Sequence, residues 1–171
     1  MSSLRLRAAT LSDIATVQRL AQAIWHAHYR SILSLAQIEY MLGRGYSDEA
    51  LAPFVTDPGR GLALAEEGGE PVGFAAWYPP DEPATLKLDK LYVLPERHGT
   101  GVGRALIEHV ADAARRAGCR TLILNVNRYN TGAVRAYERC GFVIRESGDF
   151  PIGNGFVMED YIMARALDAR A

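Results

Sequence analysis

The sequence predicts a single α/β sandwich of strands and helices. Three observations carry that prediction. Helical periodicity fills the first third of the chain, the order β-β-β-α-β-α-β-β follows it, and the stretch 86–104 reads as a strand running through a glycine turn into a helix. With 171 residues, 49% hydrophobic and 23% charged, there is apolar material for one core, so a single domain over 1–171 is expected. No internal repeat, low-complexity segment or linker interrupts it.

Each element has a local reason. Leu4, Leu6 and Ala8 alternate with Arg5 and Arg7, the period of a short strand. Thr10 and Asp13 make a capping-box signature ahead of Ile14, Val17, Leu20, Ala21, Ile24, Trp25 and His28, which recur at helical spacing. Ser34 with Gln37 repeats the box before Ile38, Met41 and Leu42, and Ser47 opens a third pattern through Leu51, Phe54 and Val55. The N-terminal third is therefore a helical hairpin and not sheet. Trp25, Tyr29 and Tyr40 and the histidines His26 and His28 concentrate here, first as core anchors and second as ligand contacts.

Gly61 to Glu66 and Val72 to Tyr78 read as strands joined by the turn Glu67-Gly68-Gly69-Glu70. Leu86, Leu88, Leu91 and Val93 mark the next strand, which Pro95 ends because proline cannot donate to a ladder. A helix from Val102 to Ala117 stops at Gly118, where a left-handed residue belongs. Leu122 to Val126 form another strand, and Asn130 or Thr131 caps a helix running through Val134 and Tyr137 to Gly141. Phe142 to Ile144 and Phe156 to Met163 are the last strands, turned through Gly153-Asn154-Gly155.

The glycine turn is an anion seat. Gly99, Gly101 and Gly103 leave backbone N–H groups uncovered where a helix begins, and first-turn amides with the positive end of a helix dipole favour phosphate. Spacing excludes two familiar phosphate binders. Counted from Gly99 or Gly101, a G-x-G-x-x-G fingerprint meets Arg104 or Leu106 at its third glycine, and no Gly-Lys-Ser/Thr string exists for a Walker loop.

A formal net charge of −1 gives no general basic face, so nucleic acid is not an expected partner and the anion site must be local. The basic residues are mostly arginine, which suits an anionic ligand. The opening Leu4-Arg5-Leu6-Arg7 carries charge where a signal peptide needs an apolar run, and no segment approaches membrane-spanning length. A cytoplasmic location without membrane partners is expected. Cys119 and Cys140 form no C-x-x-C pair and are read as free thiols, and His26 and His28, two apart on a helix, are no metal pair; no metal site is expected.

The run Leu91-Tyr92-Val93-Leu94-Pro95 through Gly99-Thr100-Gly101-Val102-Gly103 resembles the acetyl-coenzyme A motif of the GNAT superfamily of N-acetyltransferases, whose turn reads Gln/Arg-x-x-Gly-x-Gly/Ala. Here His98 stands at the first position, flanked by Arg97 and Arg104. Asn130-x-x-Ala133-x-x-x-Tyr137-Glu138-x-x-Gly141-Phe142 is similar to the family's second element. The resemblance runs from about Leu4 to about Ala166 and is strongest from Leu86 to Phe142.

That resemblance implies a three-layer sandwich, a central mixed and mostly antiparallel sheet of about seven strands flanked by helices and splayed at its two central strands, leaving a slot in which Leu91, Tyr92 and Val93 pair with the pantetheine arm of acetyl-CoA. It implies pyrophosphate contacts from His98, Gly99, Thr100, Gly101, Val102, Gly103 and Arg104, with further coenzyme contacts from Asn130, Ala133 and Tyr137. A strand amide near Tyr92 or Val93 is the candidate donor to the thioester oxygen. Tyr137 matches the family tyrosine that protonates the departing thiolate. Asp89 sits where many members carry a strand carboxylate and is the candidate base; an exposed carboxylate paired with Lys87 or Lys90 is the other reading. Trp25, Tyr29, Asp89 and Asp160 are the candidate acceptor contacts, with Asp81, Glu82 and Glu159 as further acids.

The expected function is an acetyl-CoA-dependent N-acetyltransferase acting on a primary amine of a small molecule, such as a polyamine. The N-terminal part, with Trp25, Tyr29 and Tyr40-Met41-Leu42, is somewhat similar to bacterial members near the spermine/spermidine acetyltransferases. A peptide or protein N-terminus or lysine is the alternative acceptor, and an acyl-CoA-binding regulatory module without turnover is the alternative class. Phe150, Ile152 and Phe156 near the last turn offer an apolar surface either for a homodimer or for the chain's own core.

Overall fold

Strands β1 (Leu4–Ala8), β2 (Gly61–Glu67), β3 (Glu70–Tyr78), β4 (Thr85–Val93), β5 (Thr121–Asn127), β6 (Val143–Gly153) and β7 (Phe156–Ala166) form one sheet in the order β1-β2-β3-β4-β5-β7-β6. Neighbours are antiparallel except β4 and β5, which run parallel. Helices α1 (Ile14–His28), α2 (Leu35–Gly45) and α3 (Asp48–Thr56) cover one face, and α4 (Val102–Arg116) and α5 (Thr131–Arg139) the other. The structure is a computed structural model describing residues 3–168, so both ends of the expected domain 1–171 lie outside the described residues.

The caps expected from sequence form. The Thr10 N–H donates to the Asp13 carboxylate at 2.7 Å, while Arg7 grips Asp13 at 2.8 and 2.9 Å and Glu66 at 2.8 Å. That pairing ties the start of α1 to β1 and β2, and the Arg7 guanidinium holds the Asp13 carboxyl far below the usual carboxylate range. Ser34 Oγ and Ser47 Oγ accept from the amides of Gln37 and Ala50, each at 3.1 Å, opening α2 and α3. Gly68 and Gly69 at φ +58° and +83° make the tight turn between β2 and β3.

Two apolar layers sandwich the sheet. Val102, Leu106 and Val110 of α4 pack on Leu86, Leu88, Leu122 and Leu124, while Val17, Ile24, Ile38 and Leu51 pack on Leu62, Leu64 and Phe74 from the other side. Full burial of such a side chain contributes about 1.5–3 kcal/mol.

One feature differs from the sequence expectation, and another bears on an alternative that expectation left open. The strand expected over Phe142 to Ile144 runs from Val143 to Gly153, and Phe142 precedes it in the core. Arg145-Glu146-Ser147-Gly148-Asp149 shows no alternation because β6 is an edge strand paired only with β7. Second, the apolar end of this hairpin covers the chain's own helix. The Tyr40 hydroxyl donates to the Ile152 carbonyl at 2.8 Å, Arg44 donates to the same oxygen, Gln37 Nε2 donates to the Val157 carbonyl at 2.9 Å, and Phe156 stacks on Tyr40.

The parallel pair is short. Thr85 to Leu88 pair with Thr121 to Leu124, after which β4 and β5 diverge while each continues, β4 to Val93 and β5 to Asn127. The slot between them opens towards the start of α4.

Candidate active site

At the end of β4, Pro95–Arg97 form a single 3₁₀ turn and the chain enters the glycine run. Gly99 and Gly101 take φ of +77° and +95°, and nothing lies within 4 Å of where a β-carbon would stand on either. The first bond closed at the helix start runs from the Ala105 amide to the Gly101 carbonyl at 3.0 Å, so the amides of Val102, Gly103 and Arg104 precede the helical ladder. A 15-residue helix stands behind them, and its dipole adds positive potential. These residues fit a pyrophosphate.

The turn's side chains do other work. His98 Nε2–H donates to the Val93 carbonyl at 2.9 Å, Thr100 Oγ1 donates to the Arg97 carbonyl at 2.6 Å, and Val102 is buried in the core. Thr100 and Val102, expected as coenzyme contacts, therefore present only backbone to the site. Arg97 lies 3.3 Å from Glu67, and Arg104 reaches the Arg139 carbonyl at 3.3 Å.

Ladder alternation orients the slot. The Leu94 amide bonds to the Val72 carbonyl at 2.9 Å, so the amides of Tyr92 and Lys90 turn to β3 and those of Leu91 and Val93 turn into the slot. Of the two residues expected near the oxyanion donor, Val93 has the correct direction.

Slot and turn open into a cavity of about 1240 Å³ lined from α1 through to β7. Trp25, Tyr29 and Tyr92 build an aromatic wall, with ring centroids 4.5 Å apart for Trp25 and Tyr29 and 5.6 Å for Trp25 and Tyr92. The Tyr29 hydroxyl faces Tyr92 and Asn130. Asn130 precedes α5 without capping it through its side chain, because its Oδ1 accepts from His28 Nε2–H at 3.0 Å. Ala133 and Tyr137 follow on α5 and line the same cavity. The Tyr137 ring rests 5.7 Å from Phe142, its hydroxyl enters no hydrogen bond among the described residues, and burial pushes its pKa upward, so the phenol keeps its proton.

A bulge places the acids. Ala76 pairs with Lys90 and Trp77 with Leu88, leaving Asp89 unmatched, and the phase shift puts Leu91 and Val93 on the same face as Leu86 and Leu88. Asp89 lines the cavity and is paired with Lys90 at 2.9 Å. Asp160, opposite Asn127 on the neighbouring strand, is only 7% exposed. Its Oδ2 accepts weakly from Asn125 at 3.4 Å, and its Oδ1 is buried without a partner. Burial pushes its carboxyl upward, while Lys87 and Arg128 pull the other way. Asp81, Glu82 and Glu159 fall outside the cavity lining; Glu82 accepts from Thr85 and Arg145, and Glu159 faces Arg128.

Arg44, Arg60, Lys87 and Asn125 also line the cavity and were not among the expected site residues, and His28 lines it as well. Lys87 had a signal: it is a charge between Leu86 and Leu88 in a strand whose other face is covered by α4. Among the described residues, no group of His, Cys, Asp and Glu could hold a metal ion, Cys119 and Cys140 are free and half-buried, and no helix is long and apolar enough to cross a membrane.

Comparison with known proteins agrees with this fold. The acetyltransferase (GNAT) family model matches residues 19–142. An uncharacterized N-acetyltransferase of Mycobacterium tuberculosis is 36% identical over 121 residues, which cover 71% of this chain and 76% of that protein. Among solved structures, the PaiA N-acetyltransferase of Thermoplasma acidophilum in complex with coenzyme A superposes with a TM-score of 0.81 at 22% identity, covering 96% of this chain and 99% of that one. A structure from Salmonella typhimurium with its cofactor acetyl-CoA gives 0.68 at 22% identity, covering 99% and 97%. At such identities the two structures speak for the fold.

Proposed function

Because the chain belongs to the GNAT family of acetyltransferases, we propose that it binds acetyl-CoA and transfers the acetyl group to a primary amine of a small molecule. The observation that carries this reading is one cavity joining the glycine turn, the slot beside Leu91 and Val93, the Tyr137 hydroxyl and the buried Asp160. When bound, acetyl-CoA supplies the activated acetyl thioester. The chain's own residues supply position and protons.

The amides of the turn from Gly99 to Arg104 hold the phosphates, and the Val93 N–H donates to the oxygen that gains charge; one such donor is typically worth roughly 10²–10³ in rate. An alkyl ammonium titrates near ~10.4, so only about one molecule in a few thousand is nucleophilic at pH 7 and a base is needed. Asp160, whose buried Oδ1 has no partner among the described residues, is the carboxylate that holds the acceptor ammonium and takes its proton. Asp89, engaged by Lys90, is the second acceptor carboxylate. Tyr137 Oη holds the proton required by the leaving sulfur.

Of the five acids suggesting a polyamine, Asp89 and Asp160 line the cavity and the other three do not. The test is release of free thiol from acetyl-CoA across an amine panel, with the acetylated product identified by mass. Tight coenzyme binding without thiol release on any amine would leave a binding module instead.

A further inference from the structure

Asp160 and Lys87 face the acceptor end of the cavity from β7 and β4 and stand in each other's field, yet Lys87 forms no ion pair among the described residues and Asp160 Oδ1 has no partner. The two lysines of the chain, Lys87 and Lys90, both lie on β4. Lys90 is neutralised by Asp89 at 2.9 Å. Lys87 Nζ instead lies 5.9 Å from the centre of the Tyr78 ring, and Arg60 Cζ lies 5.5 Å from the same ring, so two cations flank one aromatic surface. Arg60 is only loosely paired, 3.5 Å from Asp57. Of the other arginines lining the cavity, Arg97 is paired with Glu67, Arg104 reaches the Arg139 carbonyl beside the glycine turn, and Arg44 is bonded to the Ile152 carbonyl.

A buried acid without a partner and a cation without an ion pair, both facing one chamber, are complementary to a ligand carrying the opposite charges. A polycation would satisfy Asp160 but bring another ammonium against Lys87 and Arg60, where like charges repel. We propose that the acceptor is a small amine that also bears a carboxylate, its ammonium on Asp160 and its carboxylate on Lys87 with Arg60 beside it. This rests on the acetyl-transfer reading and names its substrate class.

The experiment compares amino acids with their decarboxylated partners: L-lysine with cadaverine, L-ornithine with putrescine, L-phenylalanine with phenethylamine, and spermidine as the polycation. Thiol release is followed by kcat/KM, and binding to the protein saturated with coenzyme A is followed by calorimetry. At least one amino acid should be preferred over its partner by tenfold or more, in kcat/KM or in Kd. Lys87→Met should cut that preference to threefold or less, and Lys87→Arg should retain it, with melts confirming that both variants fold. If no amino acid is preferred by either measure, or if spermidine is the best ligand, the inference is overturned whether or not thiol is released. A preference in binding without thiol release from any amine supports the charge complementarity and removes the acetyl-transfer reading instead.

Discussion

His98 Nε2–H donates to the Val93 carbonyl across 2.9 Å, fastening the glycine turn to the last residue of β4. The bond acts on coenzyme binding through position and not through charge. His98→Ala should raise the coenzyme Kd roughly two- to tenfold, the equivalent of one net hydrogen bond at about 0.5–1.5 kcal/mol. Calorimetry reads it, and an unchanged Kd would remove the latch.

Gly101 stands at φ +95° with open space over it, so substitution there introduces backbone strain and fills the seat. Gly101→Asn and Gly101→Asp share size and strain but differ in charge. If the turn holds phosphate, the aspartate variant should bind coenzyme at least tenfold more weakly than the asparagine variant, about 1.4 kcal/mol. Equal affinities for the two would mean that no anion sits there.

Asp160 couples function to stability. Burial raises its carboxyl above the unfolded value, so the folded state holds that proton more tightly and stability falls as pH rises through the interval between the two values. Asp160→Asn should therefore melt higher than the parent at pH 7, with the gain disappearing in acid below the ordinary carboxylate value near ~3.9. The same variant should lose at least tenfold in kcat/KM for its amine while keeping its coenzyme Kd. Melts at two pH values beside steady-state kinetics decide it, and a parent that melts as high as the variant at pH 7 would refute the assignment of burial as the dominant influence.

The parts of the fold that were legible in the sequence are those with local causes. Ser34, Ser47 and Gly118 announce helix ends because caps and left-handed residues are decided within a few positions. The bulge was not read, although Leu86 and Leu88 keep period two while Leu91 and Val93 take the other parity. The strand after Phe142 was underread because edge pairing constrains composition little. Glu82 looked like an acceptor acid and is bonded to Arg145 and Thr85 outside the cavity, whereas Arg60 from the loop before β2, Lys87 from β4 and Asp160 from β7 line one cavity. Such convergence depends on tertiary packing and leaves no spacing to read.

Tyr137 gives the sharpest prediction. The residue lines the cavity, and its hydroxyl enters no hydrogen bond among the described residues and is kept protonated by burial. Folding therefore has little to lose when that oxygen is removed, and Tyr137→Phe should melt close to the parent, whereas a hydroxyl with a structural partner would cost about 0.5–1.5 kcal/mol. Catalysis has much to lose if the phenol supplies the proton for the leaving sulfur. The expected fall in kcat is roughly 10²–10⁴-fold with little change in coenzyme affinity, because the missing interaction belongs to the transition state. Steady-state kinetics beside a thermal melt separate the roles in one variant. A kcat within about threefold of the parent is a barrier change of only about 0.65 kcal/mol, and it would leave Tyr137 as a wall of the cavity and assign the proton to water.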